Sequence, residues 1–396
     1  MRTSFLFENK NVFFLIIAGF FYGLSIGMAK PVLSILLREF STSNTEVGLL
    51  MSTVGITTMF STIPCGWLSD VIGKKHTLIV LLLVSLISDF IFATTAYVPY
   101  FLVALTFSGI VAMFGVISQA LTLDSVKTQK RGISIGLIMA ATNLGAIIAG
   151  PPIGGFLAQT YNIRWPFYAR LLVTTFLLVT ITIFIQEKRL ENQSKNSAKN
   201  LRVAEKLSFS EKLKIIFTNK ALLGCGLIFF GTGMWSSTLG TFFPMFCQDK
   251  LKMSIGQIGI VFSIAGIVVP ITQIFAGKVS DISRTKVIII GTIVASSAIF
   301  LISLATSILM LSLTLLMFNV FAAMKDPAVV AYAGDASTKV GTGKAIGIIY
   351  NLMYVGVFLG NIFGGFVYDS IGPGGPFYMA SFFGIVGSFY VAFSAK

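Results

Sequence analysis

Apolar runs of about twenty residues follow one another along almost the whole chain, separated by short polar knots. The runs do not alternate polar with apolar residues, which excludes the strands of a β-barrel. About twenty apolar residues are what a helix needs to cross a bilayer. Twelve spans are expected, at roughly 12–37, 47–68, 77–95, 99–122, 133–158, 166–186, 221–246, 256–277, 287–306, 308–332, 345–368 and 376–394. Many contain Gly or Pro, which membrane helices tolerate. One long polar stretch interrupts the pattern, from Glu187 to Lys220. Its segment 191–197 is poor in apolar residues and reads as a flexible tether. Ser210 to Phe217 reads as a short amphipathic helix on the membrane surface.

Composition sharpens this picture. The chain has 396 residues, 55% hydrophobic and 11% charged, with mean hydropathy +0.88. A soluble domain is nearer a quarter charged. The fold class is an all-α polytopic membrane protein. The net charge of +14 invites a nucleic-acid reading, but its distribution argues for topology instead. The N-terminus, every second loop and the C-terminus hold 22 of the 29 Lys and Arg. The opposite loops hold Arg38, Arg164, Lys250 and Lys252. By the positive-inside rule both termini are expected in the cytoplasm. Cys65, Cys225 and Cys247 lie in or beside apolar runs and make no disulfide framework. The first apolar run is too long for a signal peptide.

The polar knots repeat. Gly66-Trp67-Leu68-Ser69-Asp70-Val71-Ile72-Gly73-Lys74-Lys75 returns 211 residues later as Gly277-Lys278-Val279-Ser280-Asp281-Ile282-Ser283-Arg284-Thr285-Lys286. The same offset carries Asp124 onto Asp335 and Gly136 onto Gly347. One residue then drops out, so that Gly154-Gly155 matches Gly364-Gly365 and Pro166-Phe167-Tyr168 matches Pro376-Phe377-Tyr378. The expected organisation is two similar halves, 1–190 and 215–396, joined by a linker at 191–214. Gly66 and Gly73 suit close approach or a turn. Asp70, just past a helix end, suits a neighbouring helix N-terminus or a cation. In span 5, Gly145, Gly150, Pro151, Gly154 and Gly155 combine a bend with close packing.

Residues 66–75 resemble motif A of the major facilitator superfamily of secondary transporters, except at Val71, where that family has Arg. Gly150-Pro151-x-x-Gly154-Gly155 resembles motif C of its exporters, with the preceding Gly shifted to Gly145. The resemblance covers the whole chain and points to the twelve-span drug and metabolite exporters. It implies two six-helix bundles around a central cavity lined by spans 1, 4, 7 and 10. It also implies a cytoplasmic latch between the halves, formed by Asp70, Lys74 and Asp124 and repeated at Gly277, Asp281, Arg284 and Lys286. The repeat of motif C, Gly360 to Gly365, lacks the Pro. The family's Arg in span 4, four residues before a Gly, is absent, because Leu105 precedes Gly109 at that spacing. Proton coupling therefore does not carry over from that motif.

Charges inside spans are costly and are functional candidates by default. Lys30 precedes Pro31, Asp89 is mid-span, Arg170 is one turn into span 6, and Lys325 and Asp326 precede Pro327 in span 10. The last two lie about 15 Å from the loop acid Asp335 at helical rise. Neighbours on a helix point about 100° apart, so Lys325 and Asp326 are expected to need separate partners. They are the first candidates for substrate or proton contact, followed by Lys30. Asp89 and Arg170 are expected to form a structural pair. Tyr22, Trp235, Asn319, Tyr350 and Asn351 sit on spans that face the cavity or its edge. The lone His76 reads as a loop residue.

Intramembrane hydrolysis needs a nucleophile with a base, or a metal motif, and a channel needs a filter or a ring of charge. The chain offers neither, so no catalytic or metal residue and no cofactor is expected. The expectation is a plasma-membrane transporter working by alternating access as a monomer, most simply by proton-driven efflux of a small organic compound. The alternative is uptake or exchange of an organic anion, since Lys30, Arg170 and Lys325 outnumber Asp89 and Asp326.

Overall fold

The computed structural model describes residues 10–126, 130–187, 219–336 and 342–394. Twelve helices in it are long and apolar enough to cross a membrane. Spans 1–6 are Lys10–Phe40, Asn44–Val71, Lys74–Thr94, Val98–Ser125, Arg131–Thr160 and Trp165–Phe184. Spans 7–12 are Lys220–Leu251, Ile255–Gln273, Arg284–Ser303, Ile308–Ala336, Ile346–Ile371 and Gly375–Phe393. The tether 191–214 and the segment 210–217 lie outside the described residues. Local chemistry sets several ends. Pro99 and Pro166 sit in the first turns of spans 4 and 6, where their missing amide hydrogens cost nothing. Asn219 caps span 7 by accepting from the amides of Ala221 and Leu222.

The chain packs into two compact units that do not follow the sequence halves throughout. The first holds spans 1 and 3–6, span 2 from Ile56 onward, and the segment Ser254–Ser263 that begins span 8. The second holds spans 7 and 9–12, span 8 from Ile264 onward, and the segment Thr42–Gly55 that begins span 2.

In the first unit, spans 1 and 5 meet backbone to backbone. Glycines recur every fourth residue on span 1, at Gly19, Gly23 and Gly27. A methyl on Gly23 would stand 2.0 Å from the Thr142 carbonyl oxygen, and one on Gly154 2.0 Å from that of Met28. A π turn at Leu144–Ala149 precedes the Gly-Pro pair, and the Gly150 amide donates to the carbonyl of Gly145, five residues back. The extra residue in that turn keeps Gly145 on the face that meets Phe20 and Leu24. The displaced glycine of motif C is thus the register a π turn requires.

Spans 7 and 11 form the corresponding seam of the second unit. A methyl on Gly233 would lie 2.1 Å from the Met353 carbonyl oxygen. Farther along the seam, side chains fill the space: methyls on Gly360 and Gly364 would meet Ser237 Oγ at 2.2 Å and the Phe242 ring at 2.4 Å. Span 7 has its own π turn, Thr238–Phe242.

Candidate functional site

Span 10 carries a charged pair at Lys325 and Asp326. Gly291 of span 9 leaves room for the lysine stem, since a methyl there would sit 2.9 Å from Lys325 Cβ. The Lys325 side chain is wholly buried, and that of Asp326 is 47% exposed. The ammonium donates to Asp326 Oδ1 at 2.5 Å and to Thr232 Oγ1 at 2.9 Å. It also lies 5.0 Å from the centre of the Trp235 ring, a cation–π distance. The expectation that these neighbours need separate partners is wrong. The angular argument fixes where the two Cβ atoms point, but a four-carbon stem is long enough to fold its charge back onto the next residue.

Trp235 is buried, and its indole nitrogen donates to the Ala380 carbonyl at 3.0 Å. It therefore supports the pair from behind. Asn319 donates to the Ala265 carbonyl at 2.8 Å. Tyr350 packs edge-on against Phe229 and is partly exposed, and Asn351 is exposed.

The first unit closes its charges away. Arg170 contacts Asp89 Oδ1 at 2.8 Å, with both side chains nearly or wholly buried. Arg170 Nε donates to Ser25 Oγ at 3.3 Å, and Thr174 donates to Asp89 Oδ2 at 3.4 Å. The cluster thus ties spans 1, 3 and 6 together. Span 1 also borders a cavity of about 120 Å³, lined among others by Tyr22, Phe114, Ser118, Gln119, Thr142 and Asn143. Tyr22 stacks on Phe114 with ring centres 4.3 Å apart and donates to the Val111 carbonyl. Ser118 Oγ is buried without a hydrogen-bond partner. Lys30 sits where span 1 is interrupted, between helix α1 (Lys10–Ala29) and helix α2 (Leu33–Phe40).

At the motif A end, Lys74 pairs with Asp124 and Arg284 with Asp335. Each pair closes within one unit. Gly73 has φ +94° and requires glycine. Gly66 serves no close approach, because nothing lies near the site of its missing methyl. Asp70 and His76 are exposed, and no ion pair reaches Asp70 among the described residues. Glu187 takes the role expected of Asp70. Its carboxylate accepts from the amides of Lys74 at 2.8 Å and Lys75 at 3.0 Å, and so caps span 3. The side chains of Gly277 to Ile282, Asp281 included, lie outside the described residues.

Two further clasps went unnoticed in the sequence. Asp369 at the end of span 11 accepts four hydrogen bonds, from the amides and side chains of Asn44 and Thr45 at the start of span 2. Gln159 at the end of span 5 accepts from Ser254 Oγ at 2.9 Å and from the Gly256 amide at 3.1 Å at the start of span 8. The internal repeat was the available signal, because the offset that relates Gly154 to Gly364 also relates Gln159 to Asp369 and Asn44 to Ser254.

The family model of the Major Facilitator Superfamily matches residues 15–282 and again residues 226–395. An uncharacterized MFS-type transporter of Methanocaldococcus jannaschii is 25% identical over 383 residues, 96% of each chain. Multidrug resistance protein 1 of Bacillus subtilis is 28% identical over 384 residues, 94% of each chain. Among solved structures, a D-xylose-proton symporter superposes with TM-score 0.77 at 15% identity, over 96% of each chain.

Proposed function

This chain belongs to the Major Facilitator Superfamily, and from that premise we propose that it exports a small organic compound in exchange for protons. It is a membrane transporter of small molecules, not an enzyme. The direction and the coupling ion are the proposal. A multidrug resistance relative supports export, as does the Gly-Pro seam of span 5.

The observation that carries the coupling is a half-exposed carboxylate, Asp326, holding a wholly buried ammonium, Lys325. Protonating Asp326 removes that countercharge. The ammonium is then left with a hydroxyl and an aromatic face in apolar surroundings, which is costly. Relief comes from rearranging spans 7 and 10, so proton uptake drives a conformational step. Asp326 is the proton carrier, and Lys325, Thr232 and Trp235 position it. Both termini face the cytoplasm, the membrane is the plasma membrane, and the working form is a monomer of two bundles, 1–190 and 215–396. The Lys74–Asp124 and Arg284–Asp335 pairs each brace the cytoplasmic end of their own unit rather than latching one half to the other.

Inside-out vesicles with an imposed pH gradient test this. Cationic, neutral and anionic compounds are offered to wild type and Asp326→Asn. Accumulation that collapses with the gradient, and that Asp326→Asn abolishes, is expected. Gradient-driven transport intact in Asp326→Asn would sink the proton role. The second reading, exchange of an organic anion, is favoured by one observation, a lysine in span 1, Lys30, that forms no ion pair among the described residues.

A further inference from the structure

We propose that the break in span 1 is an oxyanion site, where Lys30 and the first turn of α2 hold the carboxylate of a transported compound. This rests on the transporter reading above and adds a substrate class to it. Pro31 has no amide hydrogen, and the helical ladder resumes only where the Leu36 amide reaches the Val32 carbonyl at 2.8 Å. The amides of Ser34 and Ile35, both buried, do not reach the carbonyls of Lys30 and Pro31 one turn back. Ser34 Oγ is fully buried without a partner. Side chains lean toward the N-terminus of their helix, so this hydroxyl leans into the break. Lys30 forms no ion pair among the described residues. Two amides and a hydroxyl without partners, and a lysine without an ion pair among the described residues, thus fall within the six residues 30–35, at a positive helix end. Discontinuous membrane helices present such ends to anionic substrate groups.

Access and size follow from the helix face. Gly19, Tyr22 and Ile26 recur at spacings of three and four, and Lys30 continues their row. Gly19 and Tyr22 line the cavity, and Ile26 is exposed. Eight residues separate Tyr22 from Lys30, about 12 Å at helical rise. The fitting compound has an apolar, preferably aromatic, body against Tyr22 and Phe114 and an acid group about that far away. Span 7 has no such feature. Position 240, which is 210 residues on from Lys30 by the offset that carries Asn44 onto Ser254, is a glycine.

The test uses the full chain in lipid nanodiscs and ω-phenylalkanoates from phenylbutanoate to phenyloctanoate, each beside its methyl ester. Wild type is expected to bind the best-fitting acid about tenfold more tightly than its ester. Lys30→Gln erases that preference, Lys30→Arg keeps it, and Ser34→Ala weakens it. No acid preference in wild type, or a preference surviving Lys30→Gln, overturns the site. A headgroup phosphate offers the same chemistry as a carboxylate. Should phosphatidylglycerol raise the melting temperature of wild type but not of Lys30→Gln, while acids bind no better than esters, the occupant is lipid and the substrate assignment falls. Gradient-driven export of a neutral ester by the wild type is measured beside these. Its presence keeps the exporter reading standing whichever way the site is decided, and its absence overturns that reading separately.

Discussion

The two units are built from one repeated plan, yet they place their charge and their polar strain differently. The first unit seals Asp89 against Arg170 and leaves the buried Ser34 hydroxyl, at the break in span 1, without a partner. The second keeps span 7 helical through a π turn and instead leaves a carboxylate half open, at Asp326. A fully buried ion pair is held on both sides, whereas the second pair buries its ammonium and leaves its carboxylate 47% exposed. The difference assigns rigidity to one charged cluster and responsiveness to the other.

The seams offer the strongest way to break this comparison. Gly154→Ala puts a methyl 2.0 Å from a backbone oxygen, which has nowhere to go, whereas Gly364→Ala meets the outer edge of the Phe242 ring, which has some room to shift. Gly154→Ala is expected to abolish folded protein on fluorescence-detected size exclusion. Gly364→Ala should cost about 1–3 kcal/mol, as overpacking does. Equal losses would show that the two seams are equally rigid.

The charged clusters come next. Asp89→Asn strands a buried Arg170, with an expected loss of about 3–5 kcal/mol, read as a large drop in melting temperature. Asp326→Asn also leaves a buried lysine without its countercharge, but Thr232 and the Trp235 ring remain beside it, so a smaller drop is expected. A reversed order would exchange the roles assigned to the two clusters.

The clasps give the smallest contrast. Asp369→Ala removes four charge-assisted hydrogen bonds and Gln159→Ala removes neutral ones. Bonds to a charged group contribute about twice as much as neutral ones. Protease accessibility at the start of span 2 is expected to rise more in the first variant than that at the start of span 8 does in the second.

Much of this was legible in the sequence, since span length and loop charge are read directly from residue type. Gly73, Lys74 and Asp124 were found by motif, and Asp89 and Arg170 by charge at depth. What stayed hidden depended on reach and register. The reach of the Lys325 stem overrode the angle between its Cβ and that of Asp326. Glu187 looked like the first residue of a polar tether, and only the turn at Gly73 brings it onto the amides of span 3. Span 1 read as one continuous run through Pro31, and the open amides of Ser34 and Ile35 appear only once the ladder is traced. The shifted Gly145 looked like a departure from its motif until the π turn supplied the missing residue.

The traded segments, Thr42–Gly55 and Ser254–Ser263, bear on how such a protein can be recombined. A hybrid joined at the tether, taking one half from a different parent, would inherit one partner of each clasp from each parent. Gln159 would face a foreign start of span 8, and Asn44 and Thr45 a foreign end of span 11. Only parents that share both pairings would keep both clasps intact in the graft, so the two halves are not freely interchangeable modules.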